Sequence, residues 1–130
     1  MAKDKLIGEI SASDSGNEII GKLTCSGNSE EGYFKKDSEV ARFALLFAIS
    51  KKLDIGFDPL KYKSTCNDKF TTKWHYSSLD DGVILKMIRT MHTDIEINEV
   101  YITYLIDYTL HYIDTQYLKK HINKLSDIIK

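Results

Sequence analysis

Residues 32–50 have the sequence GYFKKDSEVARFALLFAIS, and this stretch predicts a helix over residues 37–53. The apolar residues of this helix recur at helical spacing and together cover most of its circumference: Val40, Phe43, Ala44, Leu45, Leu46, Phe47 and Ile49. A helix that is apolar on nearly all sides must be covered by other elements. We therefore expect the hydrophobic core to form around it.

The composition of the 130-residue chain is that of one globular domain, with 42% hydrophobic and 28% charged residues. Eighteen lysines and arginines oppose nineteen aspartates and glutamates, so the formal net charge is −1. The bulk charge does not indicate a strongly basic, polyanion-binding protein. Any surface for nucleic acid would have to be a local basic patch.

The sequence disfavours several other classes of protein. Cys25 and Cys66 are the only cysteines, without CxxC spacing or an adjacent histidine, which argues against a zinc site and a disulfide-stapled secreted domain. No segment reaches the roughly 18 apolar residues of a membrane span. The first residues, 1–5, lack the apolar region of a secretory signal. We expect a cytoplasmic protein without membrane association, metal or cofactor.

The N-terminal quarter is the part with the weakest structural signals. Serine-, asparagine- and glycine-rich stretches flank residues 18–25, which could form a short strand. We expect residues 1–32 to form a loosely ordered arm and residues 33–130 to form a single helical domain.

The middle of the chain contains a turn region and a strand. Residues 54–69 include the only proline, Pro59, and are predicted to form a connection without a helix. Residues 70–76 alternate between Phe, Thr, Trp and Tyr on one face and Thr, Lys and His on the other. This period of two predicts a half-buried strand.

Helical signals dominate the remainder. Asp80 and Asp81 follow two serines at capping-box spacing and predict a second helix over residues 77–92. A third helix is expected over 98–113 and a fourth from 114 to 130, and these two could be one long, bent helix. The predicted fold is mainly α, a compact bundle of about four helices with a minor β element, and an α+β arrangement is possible.

Lysines accumulate between residues 51 and 76, where six lysines oppose three aspartates. Phosphate contact is one interpretation of this excess, and a solvated lysine-rich surface is the other. The candidate nucleic-acid-binding residues are Lys35, Lys36, Lys61, Lys63, Lys69, Lys73 and Arg89.

Tyrosines accumulate near the C-terminus, four of them within twelve residues. Aromatic faces can stack on bases, but acidic residues surround these tyrosines, so packing in the core or against a partner is favoured. The candidate partner-interface residues are Tyr33, Phe34, Tyr101, Tyr104, Tyr108 and Tyr112.

Catalytic and metal-binding patterns are not evident. The four histidines do not place two ligands on one helical face, and we expect no metal site. Asp80 and Asp81 are better explained by helix initiation than by acid–base chemistry. We therefore expect no catalytic residues and no enzymatic activity.

Three segments resemble the small accessory proteins of bacterial DNA phosphorothioation (Dnd-type) defence systems, in particular the Dnd system-associated protein 4 family. The matching segments are Phe34-Lys35-Lys36-Asp37-Ser38-Glu39-Val40-Ala41-Arg42-Phe43-Ala44, Leu79-Asp80-Asp81 and Asp107-Tyr108-Thr109-Leu110. Two features depart from the family pattern. The glycine after the first helix is displaced to Gly56, and Leu110-His111-Tyr112 replaces the late glycine-rich step.

The resemblance implies a non-enzymatic accessory component of a bacterial anti-phage defence system that is DNA-associated or acts in a complex. Its expected partners are other proteins of that system, and DNA is a further candidate partner. A protein-only adaptor or an oligomerising subunit remains an alternative, acting through the tyrosine-rich and C-terminal helices. A phage-encoded inhibitor of similar size is a further alternative.

Overall fold

The computed structural model describes residues 8–24, 34, 36–66, 68–80, 82–93 and 95–116. The described residues form two strands, β1 (Glu9–Ser13) and β2 (Phe70–His75), and five helices, α1 (Asp14–Leu23), α2 (Asp37–Ser50), α3 (Pro59–Thr65), α4 (Val83–Met91) and α5 (Glu99–Gln116). The fold is therefore mainly α with a small antiparallel sheet, as predicted.

The sheet pairs the N-terminal strand with the middle of the chain. Ile10 of β1 lies opposite Trp74 of β2, and the register shifts between Ile10 and the next residue. The amide of Ser11 donates a 3.3 Å hydrogen bond to the hydroxyl of Thr103, which ties β1 to α5. The strand predicted over 70–76 is confirmed, and its partner strand comes from the N-terminal part of the chain.

Helix α5 is the central element of the fold, because it packs against α1, α2, α3 and β1. Helix α2 confirms the predicted apolar helix and buries Val40, Ala41 and Leu45 completely. The core thus forms between α2 and α5, and α1 and the sheet close it.

The strand expected over residues 18–25 is wrong within the described part of that range, because Glu18–Leu23 belong to helix α1. Ile19, Ile20 and Leu23 are buried on one side of this helix. Their spacing of one, three and four residues fits a helix better than a strand, in which alternate residues share a face. Residues 8–24 lie in the same core as the helices, and the expected domain boundary at residue 32 lies outside the described residues.

The prediction of a connection without a helix over 54–69 is also wrong, because α3 lies within it. Asp58 is the N-cap, and its carboxylate accepts hydrogen bonds from the amides of Leu60 and Lys61 at 3.1 and 3.3 Å. Pro59 occupies the first helical position, where its missing amide proton costs nothing. The proline therefore starts a helix here.

The helix expected from residue 77 begins later, at Val83. A 3₁₀ turn at Tyr76–Ser78 precedes it, and Gly82 has a φ of 112°, which interrupts the helical backbone. Helix α5 continues to Gln116 without a break at the predicted boundary near 114. The remainder of the expected fourth helix lies outside the described residues. None of the described helices is long and apolar enough for a bilayer crossing.

Candidate functional site

Three aromatic rings line a surface cavity beside α3. The centroid of Phe57 lies 6.0 Å from that of Tyr62 and 5.3 Å from that of Tyr108, and the rings of Tyr62 and Tyr108 meet edge-on at 5.8 Å. The cavity has a volume of about 340 Å³, and we call it the aromatic pocket. Its other lining residues are Leu53, Ile55, Gly56, Asp58, Lys61 and Thr65.

The wall of the aromatic pocket is built by the turn between α2 and α3. Gly56 has a φ of 73°, a conformation that side chains disfavour, and a Cβ at this position would meet no atom within 4 Å. The glycine is thus needed for the backbone turn and not for space. Tyr62 is the residue of α3 that points toward α5, where its ring meets those of Tyr104 and Tyr108.

A buried carboxylate beneath the pocket fixes Tyr62. The Tyr62 hydroxyl donates to Oδ2 of Asp107, and the Ser13 hydroxyl donates to Oδ1 of the same residue. Asp107 is 1% exposed. Burial, together with the hydrogen bond to Asp107 and the charge of that carboxylate, raises the pKa of Tyr62 well above its ordinary value. Tyr62 therefore remains a neutral donor.

The same carboxylate anchors the start of α1. Ser13 is the N-cap of this helix, and its side-chain oxygen accepts a 2.9 Å hydrogen bond from the amide of Gly16. Because Ser13 also donates to Asp107, one side chain links the helix terminus to α5. We call Ser13, Ser15, Tyr62, Asp68, Asp107 and His111 the Asp107 network.

The outer half of the Asp107 network joins α1, α5 and the segment before β2. Ser15 contacts Nε2 of His111 at 2.7 Å, and both its amide and its hydroxyl donate to the Asp68 carboxylate. These hydrogen bonds from Ser15 lower the pKa of Asp68. The Nδ1 atom of His111 lies 2.8 Å from the main-chain oxygen of Asp107.

Ser15, His111 and Asp107 have the order of a nucleophile, a base and an orienting acid. The hydroxyl of Ser15 has one proton, however, and the Asp68 carboxylate can only accept it. The Ser15 proton is therefore directed to Asp68 and not to His111, whereas a nucleophile activated by a base must give its proton to that base. This pattern favours a structural role for the three residues.

The candidate lysines of α3 and β2 lie at the surface. Lys61 lines the aromatic pocket, and Lys63 and Lys69 are exposed nearby in sequence, on α3 and just before β2. Among the described residues, none of these three lysines forms an ion pair.

The remaining candidate cations differ from these three. The ammonium of Lys73 lies 3.0 Å from the Asp37 carboxylate and 5.6 Å from the centroid of the Trp74 ring, so its charge is already partnered. Lys36 is exposed next to Asp37, and Lys35 lies outside the described residues. Arg89, on α4, donates to the carbonyl of Ile97.

Most of the described candidate interface aromatics pack against other rings of the protein. Tyr101 is 2% exposed and belongs to the core, and its burial and the charge of Asp54 raise its pKa to about 12. Tyr104 packs on Phe70, with ring centroids 5.1 Å apart. Tyr112 packs on Phe47 and Phe34 on Phe43, at 6.2 and 5.3 Å, while Tyr33 lies outside the described residues. Of the candidate tyrosines that the structure describes, Tyr108 is the one that lines the aromatic pocket.

A second buried carboxylate lies in the turn between α2 and α3. Asp54 is 1% exposed, and its Oδ2 lies 2.6 Å from Nε2 of His92. Its Oδ1 has no hydrogen-bond partner among the described residues. Within the part of the chain that the structure describes, no group of three or more His, Cys, Asp or Glu side chains is placed to hold a metal ion.

Sequence reasoning did not select the Asp107 network. One local signal was available, because Asp107 and His111 are four residues apart and share a helical face. A second was the Asp58-Pro59 pair, which is a helix-start pattern and would have placed Tyr62 on a helix. The contacts of Ser13 and Ser15 with α5 join residues more than 90 positions apart, and no local pattern contains them.

Comparisons of the chain with family models, with curated proteins and with solved structures found no match.

Proposed function

We propose that the protein is a non-enzymatic accessory component of a bacterial DNA-modification or anti-phage defence system, and that it contacts DNA. The resemblance to the Dnd system-associated protein 4 family supports the system. The surface of α3 supports the DNA contact, because this helix displays Lys61 and Lys63 and contains no acidic residue. Such a component would act in the cytoplasm with other proteins of the system.

The chemistry of the α3 surface suits the phosphate backbone. Lysines neutralise phosphates and release counterions, which gives sequence-independent affinity. Exposed hydroxyls of Thr71 and Thr72 on β2 add hydrogen-bond donors of the kind that position a protein on DNA. Lys69 lies between α3 and these threonines in the sequence and is also exposed.

The test is a salt titration of binding to a fluorescently labelled duplex, beginning at about 50 mM salt, where phosphate contacts are strong. The double variant Lys61→Gln/Lys63→Gln removes two charges from α3. The control Lys51→Gln/Lys86→Gln removes two exposed lysine charges from the end of α2 and from α4. We expect the α3 variant to reduce the slope of log affinity against log salt by about two and the control to leave it unchanged.

Two results would contradict this proposal. The absence of duplex and single-strand binding by the wild-type protein at low salt removes the DNA contact altogether. Equal reductions of the salt slope in the two double variants would show that binding does not depend on which lysines are removed. This result would contradict a specific role for the α3 surface.

A protein-only adaptor or oligomerising subunit is the second candidate function. Val83, Met87 and Met91 recur every four residues along α4 and are 60%, 41% and 48% exposed. An exposed apolar stripe at this spacing is typical of a helix that contacts another protein. Light-scattering mass measurement of wild type and Met87→Glu tests it, because a larger wild-type mass that falls in the variant would support self-association through α4. Loss of binding to a co-expressed neighbouring gene product in the same variant would support an adaptor.

A further inference from the structure

We infer that the aromatic pocket binds one unstacked base of a single-stranded nucleic acid, and that Lys61 contacts the phosphate next to that base. This inference rests on the proposed function and specifies the ligand of the same surface. It predicts that single strands bind more tightly than duplex DNA.

The rings of the pocket are suited to stacking because they line an open cavity that can take a planar group. Phe57, Tyr62 and Tyr108 are each half-buried, whereas Tyr101, which meets Phe57 edge-on at 5.7 Å, is buried in the core. Every base has an aromatic face, so rings at a surface accept bases with little sequence preference. The cavity volume of about 340 Å³ lies at the small end of the range of about 300–1,000 Å³ for ligand pockets, which suits a single planar group.

The charged residues of the pocket favour an anionic chain beside that planar group. Lys61 is exposed at the cavity and forms no ion pair with a described residue. Asp58, the acidic lining residue, directs Oδ1 to the amides of Leu60 and Lys61. The negative charge of Asp58 thus lies at the start of α3. Lys61 is the cation that lines the pocket and can contact a phosphate.

The pocket is also held in place before any ligand arrives. The Tyr62 hydroxyl is fixed by Asp107, and Tyr108 lies one residue later on the same helix. Rings that are already oriented lose little conformational freedom on binding. A base inside a duplex is stacked on its neighbours and cannot reach such a pocket without being extruded. This difference is the reason for the predicted preference for single strands.

The experiment compares a fluorescein-labelled 12-nucleotide oligothymidine, an abasic oligomer of the same length and a hairpin duplex, by fluorescence anisotropy at one salt concentration. We expect the wild-type protein to bind oligothymidine about tenfold more tightly than the abasic oligomer, which lies within the range that base–aromatic stacking supplies. This comparison changes only the ligand, so it needs no protein variant.

Protein variants then locate the binding. Tyr108→Leu removes a ring of the pocket, and Tyr112→Leu, its matched control, removes a half-buried ring that packs on Phe47 elsewhere on α5. We expect Tyr108→Leu to weaken oligothymidine binding about tenfold and duplex binding less than twofold, and Tyr112→Leu to change neither. Phe57→Leu is a second pocket variant, and urea unfolding of each variant confirms that it is folded.

The outcomes separate this inference from the proposed function. Equal affinity for oligothymidine and the abasic oligomer would overturn the base pocket, even where duplex binding through the lysines persists. An equal effect of Tyr108→Leu on single strands and duplex would also overturn it. No binding to any of the three ligands would overturn both proposals.

Discussion

The carboxylate of Asp107 leaves no room for a side chain at Gly16. A Cβ at this position would lie 2.5 Å from Oδ1 of Asp107, closer than real Cβ atoms approach, while the Ser13 hydroxyl would lie at 3.0 Å. Both neighbours belong to the hydrogen bonds that hold the start of α1 on α5. A small residue here allows the helix terminus to approach the buried carboxylate.

Gly16→Ala should therefore destabilise the protein although alanine is the better helix former. We expect a loss of about 1–3 kcal/mol in the free energy of unfolding, since the methyl group displaces the Asp107 acceptor from Ser13. Gly21→Ala is the matched control in the same helix, because Gly21 is exposed and a Cβ there meets nothing within 4 Å. It should stabilise the protein by about 0.4–1 kcal/mol. Urea unfolding measures both, and a neutral Gly16→Ala would contradict the close packing.

The hydroxyl of Tyr62 should contribute to stability as well as to the position of the ring. Tyr62→Phe keeps the ring but leaves Oδ2 of Asp107 without this donor, so we expect a loss of about 1–3 kcal/mol. Tyr104→Phe is the control, because the Tyr104 hydroxyl makes no hydrogen bond to a described residue. Chemical denaturation compares the two variants. Equal losses of stability would show that the hydrogen bond from Tyr62 to Asp107 does not stabilise the folded protein.

Asp80 should stabilise the protein in a pH-dependent way. Burial alone would raise the pKa of Asp80. Hydrogen bonds from the amides of Ile84 and Leu85 and from the Tyr76 hydroxyl lower it by more than burial raises it, so the pKa in the folded protein lies below the ordinary value. A carboxylate accepts all three bonds, whereas an asparagine amide has one oxygen. Asp80→Asn should therefore cost about 1–3 kcal/mol at pH 7.

The sign of the pH effect follows from the lowered pKa. The contribution of Asp80 is complete above the pKa of about 4 in the unfolded chain and is lost as the pH falls through the lower pKa of the folded state. The difference between wild type and Asp80→Asn should shrink over that window. Asp68, whose pKa is also lowered, is present in both proteins and cancels in the difference. A difference that is constant from pH 7 to pH 2 would contradict the assignment.

His92 should contribute to stability because its Nε2 lies 2.6 Å from Oδ2 of the buried Asp54. His92→Leu leaves that buried oxygen without its hydrogen-bond partner, and we expect a loss of about 1–3 kcal/mol in the free energy of unfolding. Adding Asp54→Asn replaces the carboxyl group that has lost its partner by an amide and should recover part of that loss. Thermal and urea unfolding of the single and double variants test the coupling, and additive losses would show that the two side chains act independently.

The sequence predicted the elements with strong internal periodicity. Helix α2 and strand β2 follow from apolar spacing alone, and both lie within a few residues of the expected bounds. Helix α1 contains two glycines and a short apolar set, so its signal is weak, and its stability comes from packing on α5 and from the Ser13 cap. Local sequence does not encode such support from a distant helix.

The candidate site also has one part that the sequence predicts and one part that it does not. Exposed lysines are visible in a sequence, and Lys61, Lys63 and Lys69 lie at the surface as expected of solvated side chains. The aromatic pocket combines Phe57 and Tyr62 with a tyrosine from a helix more than 40 residues away. Its formation depends on the turn at Gly56 and on the carboxylate of Asp107, and both act through the folded chain.

The hydrogen bond between Ser13 and Asp107 spans 94 positions, and this separation has a consequence for the order of synthesis. A ribosome makes the lysines of α3 well before it makes α5. An unfinished chain therefore carries the positive surface while the third ring of the pocket and the anchor for Tyr62 have not yet been translated. At that stage a nascent chain has the charge of α3 alone, and the proposed selectivity for an exposed base begins only when α5 has left the exit tunnel.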